Sequence, residues 1–128
     1  MGYQRNTPGT RELTGIAGAA SNLNPGSILA FNGELLFGGN DSSGNSGLWV
    51  SSGTAAGTSE VSRKLDAADL TSFKGEVLFQ GTPLNGNTGL WVTNGTAAGT
   101  SELTGIKGAN SNGLNPLFLT VFNNEVLF

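Results

Sequence analysis

Gly47-Leu48-Trp49-Val50-Ser51-Ser52-Gly53-Thr54-Ala55-Ala56-Gly57-Thr58-Ser59-Glu60 recurs as Gly89-Leu90-Trp91-Val92-Thr93-Asn94-Gly95-Thr96-Ala97-Ala98-Gly99-Thr100-Ser101-Glu102. Twelve of the fourteen positions are identical, and the offset from Trp49 to Trp91 is 42 residues. A second motif precedes each copy: Phe31-Asn32-Gly33-Glu34-Leu35-Leu36-Phe37, then Phe73-Lys74-Gly75-Glu76-Val77-Leu78-Phe79, and once more Phe122-Asn123-Asn124-Glu125-Val126-Leu127-Phe128. The first two are again 42 residues apart, and the third lies 49 further on. A third motif, Glu12-Leu13-Thr14-Gly15-Ile16, returns as Glu102-Leu103-Thr104-Gly105-Ile106, whereas the middle copy, Glu60-Val61-Ser62-Arg63-Lys64, lacks the Gly-rich insert. Trimming of that connection accounts for the unequal spacing, because loops tolerate insertions and deletions.

Each unit reads as four short strands. Apolar runs flank Asn32-Gly33, which can supply the two positive φ angles of a type I′ hairpin turn. The third strand is Leu48-Trp49-Val50 or Leu90-Trp91-Val92, reached through a polar loop, and the fourth follows the Gly-Thr-Ala-Ala-Gly-Thr turn. The second and third strands are runs of consecutive apolar residues, which predicts burial on both faces of the sheet. Four strands per unit at a period of roughly 40 to 45 residues describes β-propeller blades. The composition agrees: Gly, Asn, Thr and Ser supply 60 of 128 residues, as turn chemistry for many short strands and against a helical bundle. Only Lys64-Leu65-Asp66-Ala67-Ala68-Asp69-Leu70 has local helical character, and there Asp69 is expected to cap a turn in a polar connector carrying Asp66.

The repeat resembles the ELWxxDGT repeat family, carried here by Leu48-Trp49-Val50-Ser51-Ser52-Gly53-Thr54 and Leu90-Trp91-Val92-Thr93-Asn94-Gly95-Thr96. The leading Glu of that motif is replaced by Gly47 and Gly89, and its Asp by Ser52 and Asn94. The resemblance implies propeller-like blades and a secreted or cell-surface bacterial parent. It implies no particular activity.

The phase of the repeat predicts how the blades are completed. Gly2-Tyr3-Gln4-Arg5 stands where Gly-Leu-Trp-Val stands elsewhere, so residues 1–14 read as the third and fourth strands of a blade whose first two strands are residues 117–128. Residues 28–62 and 70–104 are whole blades. The expected fold is therefore all-β, with three blades of four antiparallel strands per chain, twelve strands in all. Three are too few for a ring, since propellers have about 4 to 8 blades. Exposed blade faces and strand edges invite association. Two chains closing a six-bladed ring is the favoured expectation, with a homotrimer of nine blades second. Tyr3, Arg11, Leu13, Val121, Phe122, Val126 and Phe128 are the expected closure residues.

Candidate chemistry is sparse. Trp49 and Trp91, with Tyr3 in the same register, are candidate stacking platforms for sugars, while Leu and Val on either side of each Trp favour packing between blades. Asn40-Asp41-Ser42-Ser43-Gly44-Asn45 has the alternating oxygens of a calcium loop, yet Asp41 is its only acid and the equivalent Thr82-Pro83-Leu84-Asn85-Gly86-Asn87 has none, which favours a solvated turn. Glu34, Glu76 and Glu125 recur after each hairpin turn and read as edge charges rather than acid/base pairs. The chain has no His and no Cys, which removes Ser-His and Cys-His nucleophile pairs, disulfides and the commonest metal ligands. No metal, cofactor or catalytic residue is expected. The six cations are scattered and the net charge is -3, so no basic stripe for nucleic acid exists. No run of 18 apolar residues is present to span a membrane, and Met1-Gly2-Tyr3-Gln4-Arg5 lacks the apolar core of a signal peptide. The expectation is a non-catalytic repeat module for binding or scaffolding, with a lectin-like propeller as the alternative and a propeller hydrolase third. The near-identity of the repeats is also compatible with an engineered, reconstructed or excerpted origin.

Overall fold

The computed structural model describes residues 10–128. They form ten strands and no helix. The first sheet is an antiparallel meander of β1 (Gly26–Phe31), β2 (Glu34–Asn40), β3 (Ser46–Ser51) and β4 (Thr58–Arg63), and the second repeats that order in β5 (Leu65–Phe73), β6 (Glu76–Pro83), β7 (Gly89–Thr93) and β8 (Ser101–Glu102). A separate hairpin, β9 (Thr120–Phe122) and β10 (Glu125–Leu127), follows. Among the described residues the sheets are open at their edges and do not close into a ring.

All three hairpins use the turn expected from sequence. The two central residues have positive φ at Asn32 and Gly33 (51° and 76°), Lys74 and Gly75 (51° and 80°), and Asn123 and Asn124 (49° and 64°), the requirement of a type I′ turn. The turn then sets the register, pairing Phe31 with Glu34, Phe73 with Glu76 and Phe122 with Glu125. One strand further in, Phe37 pairs with Trp49 and Leu36 with Val50, while at the same offset Phe79 pairs with Trp91 and Leu78 with Val92. Each indole leans across a glycine of the neighbouring strand. A Cβ on Gly39 would sit 3.2 Å from Trp49 Cδ1, and one on Gly81 would overlap the Trp91 ring. Glycine at these positions leaves the space the indole occupies.

Hydroxyl groups build the recurring turn between the third and fourth strands. Ser51 Oγ and Thr58 Oγ1 are 2.7 Å apart, Thr58 Oγ1 donates to the Thr54 carbonyl, and Thr54 Oγ1 accepts from the Gly57 amide. Thr93, Thr96, Gly99 and Thr100 reproduce the same bonds. The near-invariance of the fourteen-residue motif therefore reflects a side-chain-wired loop as well as strand packing.

The two sheets pack face against face. Leu48 and Val61 of the first sheet form one buried cluster with Leu65, Ala67 and Phe79 of the second, with Val50, Leu70 and Trp91 packed around it. The approach is close: a Cβ on Gly38 would lie 2.8 Å from the Ala67 carbonyl oxygen. The middle of β2 and β3 is buried on both faces, as the consecutive apolar residues predicted.

Two expectations for the Lys64–Leu70 stretch are corrected. The stretch Lys64–Leu70 is not helical: Leu65–Leu70 belongs to β5, with an irregularity between Ala68 and Thr71. Seven residues are far short of the roughly 12 to 15 that an isolated helix needs, and burial of Leu65 and Ala67 against the first sheet decides in favour of the strand. Asp69, with φ 56°, caps no helical turn; its Oδ2 accepts the Leu119 amide at 2.7 Å and ties the approach to β9 onto the second sheet. Of the third and fourth blade strands expected in residues 1–14, residues 1–9, Tyr3 among them, lie outside the described residues, and Arg11, Glu12, Leu13 and Thr14 form no strand. Residues that follow lie on the first sheet as an irregular counterpart of β5: Ala19 bridges Asp41, the Ala20 amide donates to the Asn40 carbonyl, and the Asn40 amide donates to the Leu23 carbonyl.

Candidate functional site

Trp49 is 0% exposed, and Trp91 is half-buried with its ring centroid 6.3 Å from that of Phe79. Trp49 thus offers no ring face to a sugar, and Trp91 packs its ring against Phe79 and the buried cluster that the two sheets share. Both indole Nε1 groups are buried without a hydrogen-bond partner. Packing is the role this geometry favours.

The loop expected from sequence to be a solvated turn is anchored by a buried carboxylate. Asp41 Oδ1 accepts the amides of Ser43 and Asn45, each at 2.9 Å, and Asn45 Nδ2 donates to both carboxylate oxygens. Donors aimed at the carboxylate stabilise an anion there, the reverse of what a calcium ligand set provides. Arg63 bridges Asp41 at 3.6 Å and Glu60 at 3.4 Å. The Asn45 amide, followed by the other loop donors and Arg63, holds the Asp41 carboxyl below its ordinary value. Burial and then the charge of Asp41 push Glu60 up, against the pull of Arg63, and Glu60 Oε1 has no partner. Among the described residues no three His, Cys, Asp or Glu side chains gather as a metal site.

The two shifts have opposite linkage. Asp41, lowered on folding, contributes stability above its unfolded value that is lost as pH falls through its folded value. Glu60, raised on folding, penalises the folded state while ionised, and the penalty is relieved as pH falls through its folded value. Glu60→Gln should therefore raise the melting temperature at pH 7 relative to wild type, with the gain shrinking toward pH 4. Asp41→Asn should lower it at pH 7, with the deficit closing at the acid end. Thermal unfolding from pH 3 to 7 checks both, and a Glu60→Gln curve below wild type at neutral pH contradicts the assignment.

A cavity of about 520 Å³ lies between residues 12–25 and the outer face of the first sheet. Leu13, Ile16 and Leu23 line one wall; Leu35, Phe37 and Thr58 line the other. In and just before the β9–β10 hairpin, Leu117, Phe118, Val121, Phe122, Leu127 and Phe128 are all exposed, a concentration of apolar surface unusual for an isolated chain. Of the expected closure residues, Leu13 lines the cavity, Val121, Phe122 and Phe128 belong to the exposed hairpin region, Val126 is half-buried there, and Arg11 is exposed. Glu34, Glu76 and Glu125 are exposed beside their turns.

Comparison with family models, with curated proteins and with solved structures finds no match. Sequence reading missed the cavity. Its signal was present as a longer recurrence than the pentapeptide at Glu12 and Glu102, since Asn24-Pro25 returns as Asn115-Pro116 ahead of β9. Both segments lie on a sheet: Gln80 Nε2 donates to the Pro116 carbonyl at 2.7 Å, and the Asn115 amide donates to the Thr88 carbonyl.

Proposed function

We propose that the chain is a non-catalytic β-propeller repeat module, three blades per chain, that assembles with a second copy into a six-bladed ring and acts as a binding or scaffold element. The observation that carries this reading is the recurrence of one four-stranded sheet with the same register at a 42-residue offset, the two copies stacked face to face. The hairpin β9–β10 starts the same register a third time and, among the described residues, pairs with no third strand. An unpaired strand edge beside exposed apolar side chains favours association. The resemblance to the ELWxxDGT repeat supports the same architecture.

A lectin-like propeller is the main alternative, and burial of Trp49 removes its clearest ring platform. Binding at repeated sites on a glycan array would restore it. No helix among the described residues is long and apolar enough to cross a membrane.

Size-exclusion chromatography with light scattering tests the assembly. The expected mass is twice the 13.0 kDa of one chain. Three times that mass would indicate the nine-bladed ring, and a monomeric mass at micromolar and higher concentrations would overturn the reading.

A further inference from the structure

Building on the assembly reading above, we infer that the cavity on the outer face of the first sheet receives the outward face of the β9–β10 hairpin of a second copy of this chain. The molecule contains one complete example of how its sheets meet. There, the side of the first sheet that carries Leu36, Leu48 and Val50 turns toward the side of the second that carries Val77, Phe79 and Trp91. Each sheet therefore has a donor face and a receptor face, and the register identifies both faces elsewhere in the chain.

The receptor positions of the second sheet have counterparts 42 residues earlier. Val77 corresponds to Leu35, Phe79 to Phe37 and Thr93 to Ser51, and all three counterparts line the cavity. Val77 is 0% exposed, because a sheet lies over it, whereas Leu35 is 41% exposed. Ile28 corresponds to Leu70, which packs against the core, and Ile28 is also exposed and lines the cavity. Residues 12–25 cover only part of this face.

The donor positions recur in the hairpin. Leu127 pairs with Thr120 as Leu36 pairs with Leu29, and Phe122 pairs with Glu125 as Phe31 pairs with Glu34. Leu36 is 1% exposed under the second sheet, while Leu127 is 51% exposed. One chain thus carries a receptor face on its first sheet that is left uncovered at Leu35 and Ile28, and a bare donor face on its C-terminal hairpin. The second sheet stands between them, so they meet only in a second copy. Such a contact is head-to-tail rather than self-complementary, and it closes when the rotation between copies allows. Filling the cavity would bury Leu35, Ile28, Phe122 and Leu127, the gain expected from removing apolar surface from water.

The absence of native Cys makes a clean test possible. Leu35→Cys and Leu127→Cys are made separately, one carrying a size tag, and treated with a short bismaleimide alone and after mixing under refolding conditions. Both sites are exposed in the single chain, so each variant should fold. The expected result is a covalent product in the mixture containing one of each variant, with little product from either variant alone. Leu84→Cys, on an exposed loop, serves as the control and should give no product with either. Material of twice the chain mass that yields no mixed product, or that crosslinks in the Leu35→Cys sample alone, would overturn the docking mode while leaving the assembly reading standing. Material that stays monomeric would overturn both.

Discussion

Trp49→Ala is expected to destabilise the protein by about 3 to 5 kcal/mol, the range for deleting a buried aromatic side chain. Folded domains hold only about 5 to 15 kcal/mol in total, so the variant stands near the edge of folding. The side chain has no exposed surface, faces Phe37 across the strand pair, and fills space that Gly39 leaves open. Its buried Nε1 makes no hydrogen bond, which offsets part of the packing gain by about 1 to 3 kcal/mol. Trp49→Phe removes that orphan donor while keeping most of the apolar volume. It leaves a smaller cavity than Trp49→Ala and should cost less than that variant. Trp91→Ala should sit at the low end of the Trp49→Ala range, because Trp91 is only half-buried. Urea unfolding followed by far-ultraviolet circular dichroism gives the three midpoints. An unchanged midpoint for Trp49→Ala would show that the ring is no part of the core and would reopen it as a ligand contact.

What the sequence made legible was whatever repeats or is local. The type I′ turns could be read from Asn32-Gly33 and then transferred to Lys74-Gly75 and Asn123-Asn124, because a two-residue turn fixes its own φ angles and the register beside it. Packing on both sides of β2 and β3 was legible in Leu36-Phe37 and Leu48-Trp49-Val50, although Leu35 in the same apolar run stays exposed. What escaped depends on distant partners. Lys64–Leu70 has local helical character, yet Leu65 pairs with Pro83 and Ala67 with Gly81, and only that pairing makes the stretch a strand. Asp41 looks like a surface residue in Asn40-Asp41-Ser42-Ser43-Gly44-Asn45. Its burial comes from the bridge to Ala19, twenty-two residues away, which lays the N-terminal segment across the loop. Asp69 is likewise explained by Leu119 and not by its neighbours. The candidate cavity was hidden for the same reason, since its two walls come from residues 12–25 and from β2–β4.

Phe79→Ala is expected to cost about 3 to 5 kcal/mol as well, but its diagnostic value lies in where the loss is felt. Phe79 is fully buried in the cluster shared by Leu48 and Val61 of the first sheet and Leu65 and Ala67 of the second. Its contact with the Trp91 ring adds about 0.5 to 1.5 kcal/mol of aromatic interaction beyond area, part of which is already counted in the truncation. If the two sheets are one cooperative unit, amide exchange should accelerate in β2 and β3 by the same factor as in β6 and β7, although none of the first sheet's own residues has changed. If each sheet holds itself together, protection is lost in β6 and β7 alone. Leu119→Ala provides the contrast, because the buried Leu119 ties the approach to β9 onto the second sheet through Asp69 and Thr71. Its loss should loosen residues 115–128 and leave β1 to β4 protected. A Phe79→Ala variant that leaves β2 and β3 protected would mean that stacking between sheets contributes little. The head-to-tail contact between copies would then lose its template, since it repeats that same pairing of faces.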